Sequence, residues 1–192
     1  MNDQSLRFFF DAVDPLSFAM HRAPIAAEEQ RDVSAVRTPT ESYPGDATLT
    51  DTQNRFWQTR WSEGHPMAER MGFSLVRPDL VPRSRKAHEL LLQAAGFELG
   101  RPALNAILAA YFLEGRDIGR IDVLVDIAHS LGLNIADSKA VFDVDRHEVD
   151  ILTARQQAVQ AGVTSAPALV TRTGTLQGFR NQAAIGTLLD GR

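Results

Sequence analysis

The feature that most restricts how this chain can fold is a long helical stretch, residues 52–162, set between two short ends that read as strands. Isolated strands are not stable in water, because their backbone donors and acceptors need partners and their apolar faces need cover. The sheet must therefore be assembled from segments far apart in sequence, with the helices arriving between its two halves. At one end, residues 6–13 form an apolar run rich in Phe, too short for a helix and stopped by Asp14-Pro15. At the other, residues 168–172 read as a strand, Thr173-Gly174 as a turn, residues 176–179 as an antiparallel return, and residues 181–189 as a closing helix.

Between these ends the punctuation is clear. Asp14 suits a helix N-cap and Pro15 the first helical position, where its missing N–H costs nothing; the helix continues over residues 17–30, with a kink expected at Pro24. Residues 32–38, carrying Val33, Ala35 and Val36, read as a second strand, and residues 39–51 as loop. Phe56, Trp57 and Trp61 mark an amphipathic helix broken near Gly64 and Pro66. Ser84 caps a helix that stops at Gly96, Pro102 opens another that ends at Gly115, and residues 122–131 form a fourth. Asp137 is expected to cap a short helix through Phe142, and Asp145 a long one reaching Gly162.

Composition then removes whole classes of function. With 192 residues, 44% hydrophobic and 23% charged, the chain can bury an adequate core as one compact unit. A formal net charge of -4 and scattered Lys and Arg leave no basic footprint for nucleic acid. Residues 1–7 are polar and Phe8-Phe9-Phe10 is interrupted by Asp11, so neither a secretory apolar region nor a membrane span is expected, and the cytoplasm is the expected location. The chain has no cysteine, which excludes structural disulfides, thiolate metal sites and thiol nucleophiles of its own. His21, His65, His88, His129 and His147 are dispersed, without the paired spacing of a metal site. His21 lies one turn beyond Ser17 but reads as a packing or surface residue, and Trp57 and Trp61 read as core.

Three segments carry a resemblance. Asp11-Ala12-Val13-Asp14-Pro15-Leu16-Ser17-Phe18 is similar to the strand-to-helix active-site segment of DsbA-like proteins, with Asp14 and Ser17 standing where two cysteines flank a dipeptide. Pro82-Arg83-Ser84-Arg85-Lys86-Ala87-His88 and Ala109-Ala110-Tyr111-Phe112-Leu113-Glu114-Gly115-Arg116-Asp117-Ile118-Gly119 resemble the helical insertion of the branch that holds FrnE-like proteins and hydroxychromene-carboxylate isomerases. Ala161-Gly162-Val163-Thr164-Ser165-Ala166-Pro167-Ala168-Leu169-Val170 resembles the loop whose cis-proline faces the active site throughout the thioredoxin superfamily. The resemblance implies an α/β, thioredoxin-like fold with an inserted all-helical subdomain: residues 1–50 and 151–192 form the thioredoxin-like domain and residues 51–150 the insertion.

In that family a cysteine at the helix N-terminus is held as a thiolate by orphan N–H groups and the dipole, and a second cysteine resolves the mixed disulfide. Neither sulfur is present here. The resemblance therefore implies a protein of an oxidoreductase family that is unable to exchange thiols and binds a peptide or small molecule in the groove between the Asp14–Ser17 helix start and the Pro167 loop. Asp14, Ser165, Ala166 and Pro167 are the candidate ligand-binding residues and Ser17 the candidate catalytic one. A second reading is a glutathione-dependent isomerase or transferase, in which bound glutathione supplies the sulfur and Ser17 assists; Asp14 opposes it, since a carboxylate repels a thiolate. A third is a structural or assembly role with a homodimer interface. Asp-Pro-x-Ser is also a good helix opening on capping grounds alone, worth ~1 kcal/mol, so Asp14 and Ser17 have a purely structural reading beside the functional one.

Overall fold

A computed structural model describes residues 6–31, 33–42, 49–50 and 54–190. The expected strand start at Asp32, positions 43–48 and 51 of the expected loop, and the first two positions, 52 and 53, of the expected helical stretch lie outside the described residues. The elements run β1 (Leu6–Phe10), α1 (Pro15–Met20), α2 (Arg22–Arg31), β2 (Ala35–Pro39), β3 (Leu49–Thr50), α3 (Arg55–Arg70) and β4 (Leu80–Val81). They continue with α4 (Arg85–Ala95), α5 (Gly100–Phe112), α6 (Ile121–Ser130), α7 (Ile135–Asp143), α8 (Glu148–Gln160), β5 (Ala168–Val170), β6 (Thr175–Gln177) and α9 (Gln182–Leu189). The main sheet has the order β2-β1-β5-β6, with β1 parallel to β2 and antiparallel to β5. Its two halves thus come from the two ends of the chain, as the sequence pattern requires. β3 and β4 form a separate short antiparallel pair.

The Phe run of β1 is uninterrupted because both of its faces are covered. Phe8 and Phe10 point into the main core with Trp57, Leu91 and Tyr111, whereas Phe9 packs on the opposite face with Ala158, Val163 and Ala168. All three rings are at most 1% exposed. Strand β1 ends at Phe10, short of the expected Val13, because Asp11 to Val13 turn the chain into α1 and Asp14 N–H bonds back to Asp11 C=O at 3.1 Å.

Several boundaries differ from expectation, each for a local reason. The first helix divides at His21 rather than kinking at Pro24: the proline has no N–H for the Met20 carbonyl and its ring crowds it, so α2 begins afresh at Arg22. Conversely, α3 continues through Gly64 and Pro66. A Cβ on Gly64 would lie 2.7 Å from the Pro15 carbonyl carbon, so the glycine marks the close approach of α3 to α1 rather than a stop. Asn134, not Asp137, caps α7, its Oδ1 accepting from Ala136 N and Asp137 N. Asp145 sits at φ +48 and pairs with Lys86 Nζ at 2.7 Å, and α8 starts only after His147. Ser84 precedes α4 without a capping side-chain bond. Among the described residues, no helix is long and apolar enough to cross a membrane.

Candidate functional site

The start of α1 is held by a closed polar network. Asp14 is the N-cap, and its Oδ2 accepts from Ser17 N at 2.8 Å and from the Ser17 hydroxyl at 2.6 Å. Ser17 Oγ in turn accepts from Asp11 N at 3.2 Å. From α3, Arg60 donates through Nε to Asp14 Oδ1 and through Nη2 to Asp14 Oδ2, the latter at 2.8 Å. The same Nη2 also donates to the carbonyl of Ala166, the residue joined to Pro167 by a cis peptide bond. One guanidinium therefore ties together the start of α1, helix α3 and the cis-proline loop. It does so away from water, with Asp14 1%, Ser17 0% and Arg60 7% exposed.

The electrostatics follow from that burial. Desolvation pushes the Asp14 carboxyl above the usual carboxylate range; the Arg60 guanidinium and the Ser17 hydroxyl oppose the rise, and the nearby Asp11 charge adds to it. Asp11, equally buried, is also pushed up by desolvation, yet His88, the Ser42 N–H and Ser84 more than offset this and hold it below the ordinary value. Ser42 N donates to Asp11 Oδ2 at 2.6 Å, and His88 Nε2 lies 3.4 Å from Asp11 Oδ1. Trp57 completes the frame by donating Nε1–H to the Val13 carbonyl at 2.9 Å, which joins α3 to the turn before α1.

Beside this network lies a groove of about 250 Å³ whose lining includes Thr40, Phe56, Arg155, Val159, Ser165 and Ala166. Phe56, 47% exposed, packs its ring over the Arg60 guanidinium at 5.2 Å and so forms the wall between groove and network. Glu41, also at the lining, is committed to Arg85 at 2.8 Å, whereas Arg155 is exposed and makes no ion pair among the described residues. Of the residues singled out from sequence, Ser165 and Ala166 line the groove, Pro167 is buried behind them, and Asp14 and Ser17 are enclosed by their own partners. Chemically, the Ser17 hydroxyl donates to a carboxylate already committed to Arg60, and no histidine hydrogen-bonds it among the described residues to serve as a base. His21, the histidine one turn away, bonds Asn105 instead. The described residues include no group of three or more side chains able to hold a metal.

Sequence reasoning passed over Arg60, Asp11 and His88. A signal for Arg60 was present: it falls on the helix face defined by Trp57, Trp61, Gly64 and Ala68, all buried, where an arginine needs a buried anion. The anion lies far off in sequence, and no local pattern pairs the two.

A strand-helix-strand start, an antiparallel hairpin and helix at the close, inserted helices, and a cis-proline loop facing a helix N-terminus define a thioredoxin-like protein of the DsbA type. Residues 5–189 match the DSBA-like thioredoxin domain, and the chain belongs to that family. It is 25% identical over 173 residues to the uncharacterized protein YwbO of Bacillus subtilis (strain 168), covering 86% of this chain and 85% of that protein. Among solved structures it is similar to a probable DsbA oxidoreductase, SCO1869, from Streptomyces coelicolor, at TM-score 0.85 and 18% identity over 97% of this chain and 88% of that one. A 2-hydroxychromene-2-carboxylate isomerase matches at TM-score 0.78 and 14% identity, covering 96% and 95%. The cytosolic disulfide reductase DsbM from Pseudomonas aeruginosa, solved with glutathione, matches at 0.71 and 17%, covering 97% and 95%. At these identities the structural matches establish the fold. The chain is thus a cysteine-free member of the DSBA-like thioredoxin domain family.

Proposed function

We propose that this protein is a cytoplasmic, non-redox member of the DsbA-like family that binds a peptide or small molecule, not between the Asp14–Ser17 helix start and the Pro167 loop, which Arg60 closes, but in the adjoining groove along residues 163–166. The observation that carries the reading is the Arg60 bridge. The two positions that hold the cysteines of the family are occupied by Asp14 and Ser17, and both are consumed by an internal network that also takes the Ala166 carbonyl. A ligand then meets the open side of the loop rather than the helix start: Ser165, the Phe56 ring, Val159 and the Arg155 cation. In this arrangement Ser17 and Asp14 are positioning residues, holding Arg60 against the loop so that the groove keeps its shape. An exposed cation with no ion-pair partner among the described residues, set beside apolar surface, suits a peptide carboxylate. Glutathione, present in the solved DsbM structure, is the first probe for that reason.

The test is thermal unfolding with millimolar reduced glutathione and with S-methylglutathione, since a ligand at ~100 times its dissociation constant adds ~2.7 kcal/mol of stability. Equal, saturable shifts with both tripeptides, lost in Val159→Glu, support binding without thiol chemistry. A shift restricted to the free thiol, accompanied by isomerase or transferase turnover, replaces the reading with a glutathione-dependent enzyme. No shift with either contradicts the choice of a γ-glutamyl peptide and, if unrelated tripeptides also fail, the binding role itself.

A further inference from the structure

At the other end of α1 a second cavity, of about 230 Å³, opens among α1, α5 and Phe73. Phe18, Phe73, Leu108 and Leu113 give it apolar walls, and Phe18 meets Phe73 edge to face at 5.5 Å. Three polar groups, His21, Arg22 and Asn105, break this surface. Arg22, exposed at the first position of α2, lays its guanidinium over the Phe73 ring at 5.1 Å and makes no ion pair among the described residues. Asn105, on α5, is held by His21, whose Nε2 lies 2.7 Å from the Asn105 Oδ1.

The state of His21 decides what Asn105 can offer. His21 is 3% exposed, and burial pushes its pKa down to about 4 against the pull of the Asn105 bond, so the ring is neutral at pH 7. A neutral ring bonded to an amide oxygen donates from Nε2, which turns the oxygen of Asn105 towards His21 and leaves the amide NH₂ as its free end. Arg22 and the Asn105 amide are then donors, one of them cationic; His21 Nδ1, with no hydrogen-bond partner among the described residues, is an acceptor, and no carboxylate lines the cavity. An apolar cavity of ~150 Å³ admits benzene, and drug-sized ligands occupy ~300 Å³ or more, so the volume suits a single ring with a short substituent.

We propose that this cavity binds a small hydrophobic carboxylate, with one aromatic ring or branched alkyl group among Phe18, Phe73, Leu108 and Leu113 and the carboxylate at Arg22 and the Asn105 amide. The apolar walls select the body, and the two donors select the charge: an amine of the same shape would bring a cation against Arg22, and a neutral amide would forgo the charge-assisted bonds. The site is separate from the groove and does not depend on the function proposed for it.

Calorimetric titration of the full chain with phenylacetate, phenylacetamide and phenethylamine tests this. Saturable binding of phenylacetate is expected, with the amide about tenfold weaker and the amine without measurable binding, in line with the strength of charged hydrogen bonds. Arg22→Gln, on an exposed side chain, should weaken phenylacetate about tenfold, and Ala109→Leu, which fills the cavity, should abolish binding, while Val159→Glu in the groove leaves it unchanged. Absence of saturable phenylacetate binding, equal affinity for the three probes, or wild-type affinity in Arg22→Gln would overturn the proposal. Because Arg22→Gln removes only an exposed side chain, the outcome stays decisive even where Ala109→Leu fails to fold.

Discussion

Replacing Arg60 with Met should be among the most damaging single changes to this protein. Methionine keeps most of the apolar stem of the side chain and removes the guanidinium, stranding Asp14, which is 1% exposed, beside a second buried carboxylate, Asp11. Breaking a buried ion pair by deleting one partner costs ~3–5 kcal/mol, because the remaining charge is left without compensation. That is a large share of the ~5–15 kcal/mol that holds a typical domain together. Asp14→Asn preserves the cap, since Asn serves as well as Asp at that position, but removes the carboxylate charge that Arg60 holds through Nε and Nη2. The double change strands neither charge, so the two losses should not add; the coupling should reach ~2 kcal/mol or more, within the range of directly bonded pairs. Urea unfolding followed by the fluorescence of Trp57 and Trp61, on the same helix as Arg60, measures all three. The pH dependence has a definite sign. A carboxyl whose folded pKa is raised binds its proton more tightly in the folded state, so the Arg60→Met penalty should be greatest near pH 7 and shrink as pH falls towards the ordinary carboxylate value. A cost below ~1 kcal/mol, the value for exposed pairs, or strict additivity in the double variant would refute the reasoning.

Other expectations follow from the same structure. Gly64→Ala, which on helix propensity alone should gain ~1 kcal/mol, should instead lose ~1–3 kcal/mol, because the added methyl meets Pro15 backbone at 2.7 Å; thermal unfolding reads the sign directly. His21 has its folded pKa lowered to about 4 from 6.5, so its contribution is fully present above pH 6.5 and drains away as pH falls to about 4, at most ~3 kcal/mol; His21→Phe should flatten that limb of the stability profile. Asn134→Ala should cost ~1 kcal/mol by uncapping α7, measurable by urea unfolding. In an insulin-reduction assay with dithiothreitol the protein should add nothing to the uncatalysed rate, as no sulfur of its own can form the mixed disulfide.

What the sequence displayed and what it concealed divide along physical lines. The element order was legible because strands and helices announce themselves through local period and punctuation: the Phe run before Asp14-Pro15 and the hairpin about Thr173-Gly174. The helix-breaking reading of Gly64 and Pro66 failed because tertiary packing overrides propensity. Trp57, Trp61 and Ala68 bury one face of α3, and the glycine is there for the approach to α1. Asp137 and Asp145 satisfied the rule for caps, but Asn134 caps α7, and Asp145 lies in a left-handed turn ahead of α8, which starts only after His147. The network at the helix start lay beyond local reasoning altogether. Asp14 and Arg60 are 46 residues apart, and Arg60 and Ala166 are 106 apart, so their meeting is a property of the assembled layers.

The measurement closest to the central claim is amide hydrogen exchange of the full chain with and without saturating S-methylglutathione. The account predicts slowed exchange at residues 163–166 and in the last turns of α8, around Arg155 and Val159, with the start of α1 unchanged because Arg60 already closes it. Slowed exchange centred on Ser17 with the groove unaffected, or no change anywhere in the chain, would contradict it.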